Sequence, residues 1–188
     1  MSDEELVLWR RLDRPGHEAA RLIYHDPFWH LGGTAVFEQD GVPCRVEYLV
    51  ACSADWQTLH AKIAGWIGTK CVRVDVASDS HHRWRVNGQA CSAVDGCIDL
   101  DLEFSPATNL LPIRRLGLPV GERADLTSAW LRFPQLTLEP LVQTYRHTAE
   151  RRYQYEAHGG TFVTELDVSP AGMILRYPEL WEAEGRRA

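Results

Sequence analysis

Apolar and polar residues alternate along most of this chain. Arg45-Val46-Glu47-Tyr48-Leu49-Val50, Val72-Arg73-Val74-Asp75-Val76, Ile98 to Phe104, and Phe162-Val163-Thr164-Glu165-Leu166 repeat at every second position or nearly so. They are rich in β-branched and aromatic side chains, as strands are. Turn residues separate these runs: Gly32-Gly33, Asp40-Gly41, Asn87-Gly88, Asp95-Gly96, Gly159-Gly160 and Ser169-Pro170-Ala171-Gly172. Asn87-Gly88 reads as a two-residue hairpin turn, because both positions tolerate positive φ. The spacing predicts a mainly β chain of about a dozen short antiparallel strands, arranged as a sandwich or barrel. Helical periodicity is confined to residues 107–113 and the last ten residues. ARLIY before Gly32-Gly33-Thr34 and RRYQYEA before Gly159-Gly160-Thr161 read as an internal echo, each GGT opening a strand.

Alternation gives each strand one apolar and one polar face. If such a sheet curls, one face lines a cup that can hold a ligand. With 188 residues and no linker or low-complexity segment, the chain is expected to form a single domain over residues 1–188. The net charge of −6 argues against a general nucleic-acid binder and against electrostatic docking on anionic membranes. No stretch approaches the ~18 apolar residues of a spanning helix. The start, MSDEELVLWRRL, lacks the basic region of a secretory signal. Five cysteines, 44, 52, 71, 91 and 97, contain no CxxC pair. They read as reduced, mostly buried thiols of a cytoplasmic protein, not as metal or redox motifs. Rossmann, phosphate-loop and nucleophile-elbow signatures are missing, and no cofactor or metal is expected.

The densest chemistry lies in GCIDLDLEFSPATNLLPIRRL, residues 96–116. Asp99, Asp101 and Glu103 alternate with Ile98, Leu100, Leu102 and Phe104, so a strand puts the three acids on one face, about 7 Å apart. That arrangement is either the solvent face of an amphipathic strand or a site for sugar hydroxyls or a hard cation, although no EF-hand spacing is present. On an extended segment Arg114 and Arg115 point to opposite sides. The inward guanidinium would clamp Asp99 or Asp101, or a ligand phosphate or carboxylate. Seven Trp stand out; Trp29, Trp56, Trp66, Trp84 and Trp130 fall in or beside strands, where Trp serves the core or a pocket.

The same segment resembles the signature of the putative glycolipid-binding proteins, a bacterial family of about this length. Gly96, Cys97, Asp99, Asp101, Leu102 and Thr108 through Leu116 carry the likeness, with Leu110 standing where the pattern has Thr. Further matches are Gly33-Thr34, Tyr48, Trp56, Arg83 through Gly88, Phe133-Pro134, Gln143-Thr144-Tyr145, Tyr153, Tyr155 and Arg176-Tyr177-Pro178, so the resemblance spans almost the whole chain. Besides Leu110, the acidic first residues depart from the pattern. The resemblance implies one strongly curved antiparallel sheet, a half-barrel or unclosed barrel like that of the periplasmic lipoprotein carriers. It also implies an amphipathic ligand, a lipid or glycolipid. On this reading the chain is a non-enzymatic binding protein or carrier. An enzyme using an Asp with an Arg clamp and an interaction scaffold with a filled core are the alternatives. The ligand-contact candidates are Asp99, Asp101, Asn109, Arg114, Arg115, Trp56, Trp84, Tyr145, Tyr155 and Tyr177.

Overall fold

The structure is a computed structural model that describes residues 4–187, the side chains of 186 and 187 excepted. Eight strands follow one another as an antiparallel meander: β1 (Glu4–Arg11), β2 (Gly16–His25), β3 (Phe28–Gln39), β4 (Val42–Cys52), β5 (Thr58–Ile67), β6 (Lys70–Ser78), β7 (Trp84–Val86) and β8 (Gln89–Ala90). Seven more complete the sheet: β9 (Leu100–Leu102), β10 (Arg123–Leu131), β11 (Leu138–Ala149), β12 (Arg152–Ala157), β13 (Phe162–Val168), β14 (Ile174–Tyr177) and β15 (Trp181–Arg187). The two series join where β1 pairs with β15, Leu6 opposite Arg187. Strands far apart in sequence therefore meet in mid-sheet, while β8 and β9, neighbours in sequence, are its two edges. The result is one large, curved, unclosed sheet of about the expected strand number.

The period of two explains the core. Val7 and Trp9, Ala20 and Leu22, Ala35 and Phe37, and Val46, Tyr48 and Val50 all face inward and are buried, with exposed or half-buried residues between them. The segment between the two edges spans the open side. Thr58 N donates to Ile98 O at one end, and Ala129 N donates to Asp99 O at the other. The chain then makes a short 3-10 turn, Ala107–Asn109, and one helix, α1 (Leu110–Leu116), before entering β10 parallel to β9. This crossover runs inside the curve. Leu100, Leu102, Phe104, Leu110, Leu111 and Ile113 are all buried. Each contributes ~1.5–3 kcal/mol, so displacing the crossover costs on the order of 10 kcal/mol, comparable to the stability of a whole domain. The crossover fills the cup.

Several expectations are corrected. The last residues are not helical: Trp181–Arg187 is a strand, paired with β1 and β14. The strand expected over Ile98–Phe104 is only Leu100–Leu102, because Glu103 and Phe104 already turn toward α1. Arg114 and Arg115 lie on α1, not on an extended segment. The echo fails because Gly32-Gly33 lies within β3, whereas Gly159-Gly160 forms the turn between β12 and β13. Gly33 is needed for close approach: a β-carbon there would lie 2.5 Å from the Tyr48 hydroxyl.

Candidate functional site

Between the crossover and the C-terminal half of the sheet a pocket of about 210 Å³ remains. Its wall and floor are Asp101, Leu102, Ser105 and Asn109 from the crossover segment, and Leu141, Tyr155, Ala157 and Tyr177 from β11, β12 and β14. Trp130, Glu103, His158 and Phe162 form its more exposed rim. At about 30 Å³ per water, this is room for about seven waters. It falls below the ~300 Å³ at which pockets for drug-sized ligands begin.

Asp101 is the charged group in this wall. Gln143 Nε2 donates to Asp101 Oδ2 at 2.7 Å and to the Tyr155 hydroxyl at 2.9 Å. Ser128 Oγ donates to Gln143 Oε1 at 2.7 Å, which fixes the amide's orientation. No described residue engages the other Asp101 oxygen in a hydrogen bond. Burial pushes the Asp101 carboxyl up to about 6; the Gln143 bond pulls it down, and the charges of Glu103 and Asp99 add to the rise. Burial likewise pushes the Tyr155 and Tyr177 hydroxyls well above their ordinary range, so both remain protonated donors. Their rings meet edge to face at 6.0 Å, and Phe162 packs against both. Asn109 Nδ2 donates to the Tyr145 hydroxyl at 2.8 Å, holding the 3-10 turn against β11.

The three acids have different partners. Asp99, 1% exposed, receives Arg115 Nε at 2.9 Å on Oδ1 and Nη2 at 2.5 Å on Oδ2. Burial raises its pKa, and the Arg115 bonds pull against that rise. Glu103 accepts from Arg132 Nε at 3.1 Å and from Phe133 N at 2.6 Å. Asp99 and Asp101 therefore do not share an arginine: Arg115 belongs to Asp99, and the Asp101 partner is an amide. Arg114 lies over the Trp56 ring at 4.9 Å.

Of the candidates, Asp101, Asn109, Tyr155 and Tyr177 come together in the pocket. Tyr145 lies behind it, fully buried. Asp99 and Arg115 form a pair outside it. Trp56 packs beneath Arg114, away from it. Trp84 is sealed in the core, donating to Cys97 O at 2.8 Å, and has no surface for a ligand. Sequence reasoning did not single out Gln143, Ser128, Ser105, His158 or Phe162 for the site. Inward placement on a strand was the available signal for Gln143, a polar residue at a core-facing position of β11.

Among the described residues no group of three or more His, Cys, Asp and Glu could hold a metal ion, and no helix is long and apolar enough to cross a membrane. No curated protein matches the chain. The crystal structure of a DUF1089 family protein from Pseudomonas aeruginosa has a similar fold, with a TM-score of 0.77, 31% identity, and 89% of this chain aligned to 91% of that one. A likeness of this extent agrees with the match to the putative glycolipid-binding family model, which covers residues 6–183, and the chain belongs to that family.

Proposed function

We propose that this chain binds the sugar head of an amphipathic glycolipid in the Asp101 pocket and leaves the tail outside the sheet. The carrying observation is the joint placement of the available Asp101 oxygen with the rings of Tyr155, Tyr177, Phe162 and Trp130 around a cavity of about 210 Å³. A carboxylate accepts from hydroxyls, and aromatic rings cover the C–H faces of a sugar. The filled cup supports the same reading, since an acyl chain would have to displace the crossover. The family's description supports a glycolipid as the class of ligand. The cytoplasm remains the compartment in this proposal, supported by five unpaired thiols, of which Cys44, Cys52 and Cys97 are buried.

The test is a Trp-emission titration with alkyl glycosides of one sugar and increasing chain length. Affinity is set by the sugar, is flat with chain length, and falls in Asp101→Asn. A series that steepens by up to ~0.8 kcal/mol per CH₂ and ignores Asp101→Asn refutes the head-group reading and restores a tail-binding carrier. A second reading, hydrolysis of a glycosidic bond, is favoured by one observation: a carboxyl raised to about 6 by burial is suited to act as a general acid. It predicts release of the alcohol from an aryl glycoside, lost in Asp101→Asn. Binding without turnover excludes it.

A further inference from the structure

Arg114 and Arg115 are adjacent on α1, yet they are satisfied very differently. Arg115 has its carboxylate, Asp99. Arg114 rests on Trp56, which stacks on Trp29 at 4.3 Å and 21°. The indole face attracts the guanidinium charge but does not take the place of an oxygen acceptor for its N–H groups. Among the described residues no carboxylate forms an ion pair with Arg114, and its buried Nε has no acceptor. A guanidinium carries five donors and a charge it cannot lose. Nearly all buried donors in native proteins have partners, and one without any calls for an explanation, a bound water or ion among them.

Arg114 lines a second pocket, of about 400 Å³, at the other end of β12 from the Asp101 site. Arg151 and Tyr153 line it too, with the carboxylate of Glu150 beside Arg151. Arg151 lies 3.9 Å from Glu150 in an exposed contact that leaves most of its donors available. The Tyr153 hydroxyl, raised by burial, stays protonated as a donor. The turn at Ser169-Pro170-Ala171-Gly172 forms another side. Gly172, at φ +98°, lets that turn lie against the arginine stem, where a β-carbon would approach Arg114 Cδ to 3.4 Å.

We propose that this pocket binds a phosphate monoester group, held by Arg114 and Arg151, with Tyr153 as a third donor. A water would satisfy one N–H but not the charge. A tetrahedral dianion accepts from several directions, whereas a carboxylate accepts in one plane. The phosphate belongs to a soluble metabolite or to a lipid head group, and the proposal does not depend on the sugar site.

The test is calorimetry of the full chain with inorganic phosphate and with glycerol phosphate at pH 7. Both bind saturably. Arg114→Gln abolishes binding, and Arg151→Ala, a surface change that spares folding, weakens it about tenfold. Arg114→Lys restores it only in part, because the planar fork is lost. Flotation with phosphatidylcholine vesicles containing phosphatidic acid, competed by glycerol phosphate, assigns the group to a lipid head; calorimetric binding without flotation assigns it to a soluble monoester. Absence of saturable binding at millimolar phosphate, or equal binding by Arg114→Gln and Arg151→Ala, overturns the site.

Discussion

Replacing Glu18 with Gln should make this protein less sensitive to rising pH. Glu18 faces inward from β2 and is 1% exposed. Its Oε1 accepts from the Tyr48 hydroxyl and from Ser105 Oγ, both at 2.6 Å, while Oε2 has no partner among the described residues. Burial pushes the carboxyl from 4.5 up to about 7, against the pull of the two hydroxyls and of Arg11. A pKa raised on folding means that the folded chain holds a proton the unfolded chain gives up. The stabilisation is complete below 4.5 and is lost as the pH rises to about 7. At about 1.4 kcal/mol per pKa unit, the loss is roughly 3 kcal/mol. In Glu18→Gln the amide oxygen can accept both hydroxyls and nothing titrates. The amide hydrogens lack acceptors, a cost of ~1–3 kcal/mol that does not vary with pH. The quantity to measure is therefore the stability difference between variant and parent at pH 4 and at pH 8, by urea unfolding followed by Trp emission. It should move by about 3 kcal/mol in favour of the variant, at constant m. Asp101 titrates in both proteins and cancels. A difference that is the same at both pH values would show that Glu18 is not a buried acid.

Arg115→Ala strands the buried Asp99 carboxylate and should cost ~3–5 kcal/mol in urea, whereas Arg114→Ala, losing a stack on Trp56, should cost ~0.5–2 kcal/mol; equal losses would contradict the pairing. Trp84→Phe leaves the Cys97 carbonyl without its indole donor, and thermal melts should show a loss of ~1–3 kcal/mol. Gly33→Ala pushes a methyl into the Tyr48 ring and should cost ~1–3 kcal/mol. At Gly32, whose β-carbon would meet the flexible Leu49 side chain at 3.2 Å, the same change should cost less by urea titration.

Strands with one buried face were legible in the sequence, because burial on one side imposes a period of two. The edge-to-edge crossover was not, since Leu110-Leu111-Pro112-Ile113 looks the same whether it covers a sheet or fills one. Trp181–Arg187 reads WEAEGRR, with helix formers on either side of Gly185, and pairing with β1 overrides their preference. An arginine on one of the two aspartates was legible, and Arg115 holds Asp99; which arginine, and that Asp101 would be held by an amide instead, was not. Helical geometry at Arg114 and Arg115 turns the two side chains apart differently from a strand. Glu18 and Gln143 could not be found by pattern, because what makes a polar side chain tolerable at an inward position comes from Tyr48, Ser105 or Ser128, remote in sequence.

The pairing of β1 with β15 has a consequence for how the chain is made. Trp9 donates to Ile174 across 165 residues, and Ser169 to Glu5 across 164. Until β15 has been synthesised, β1 lacks its partner on that side, with Leu6 and Leu8 on its outer face. Such an edge can pair with the same edge of another nascent chain. Contacts this distant in sequence also slow folding. The vulnerable interval in this protein's life is the time between translating its first strand and its fifteenth, because the seam in mid-sheet cannot close before both have been made.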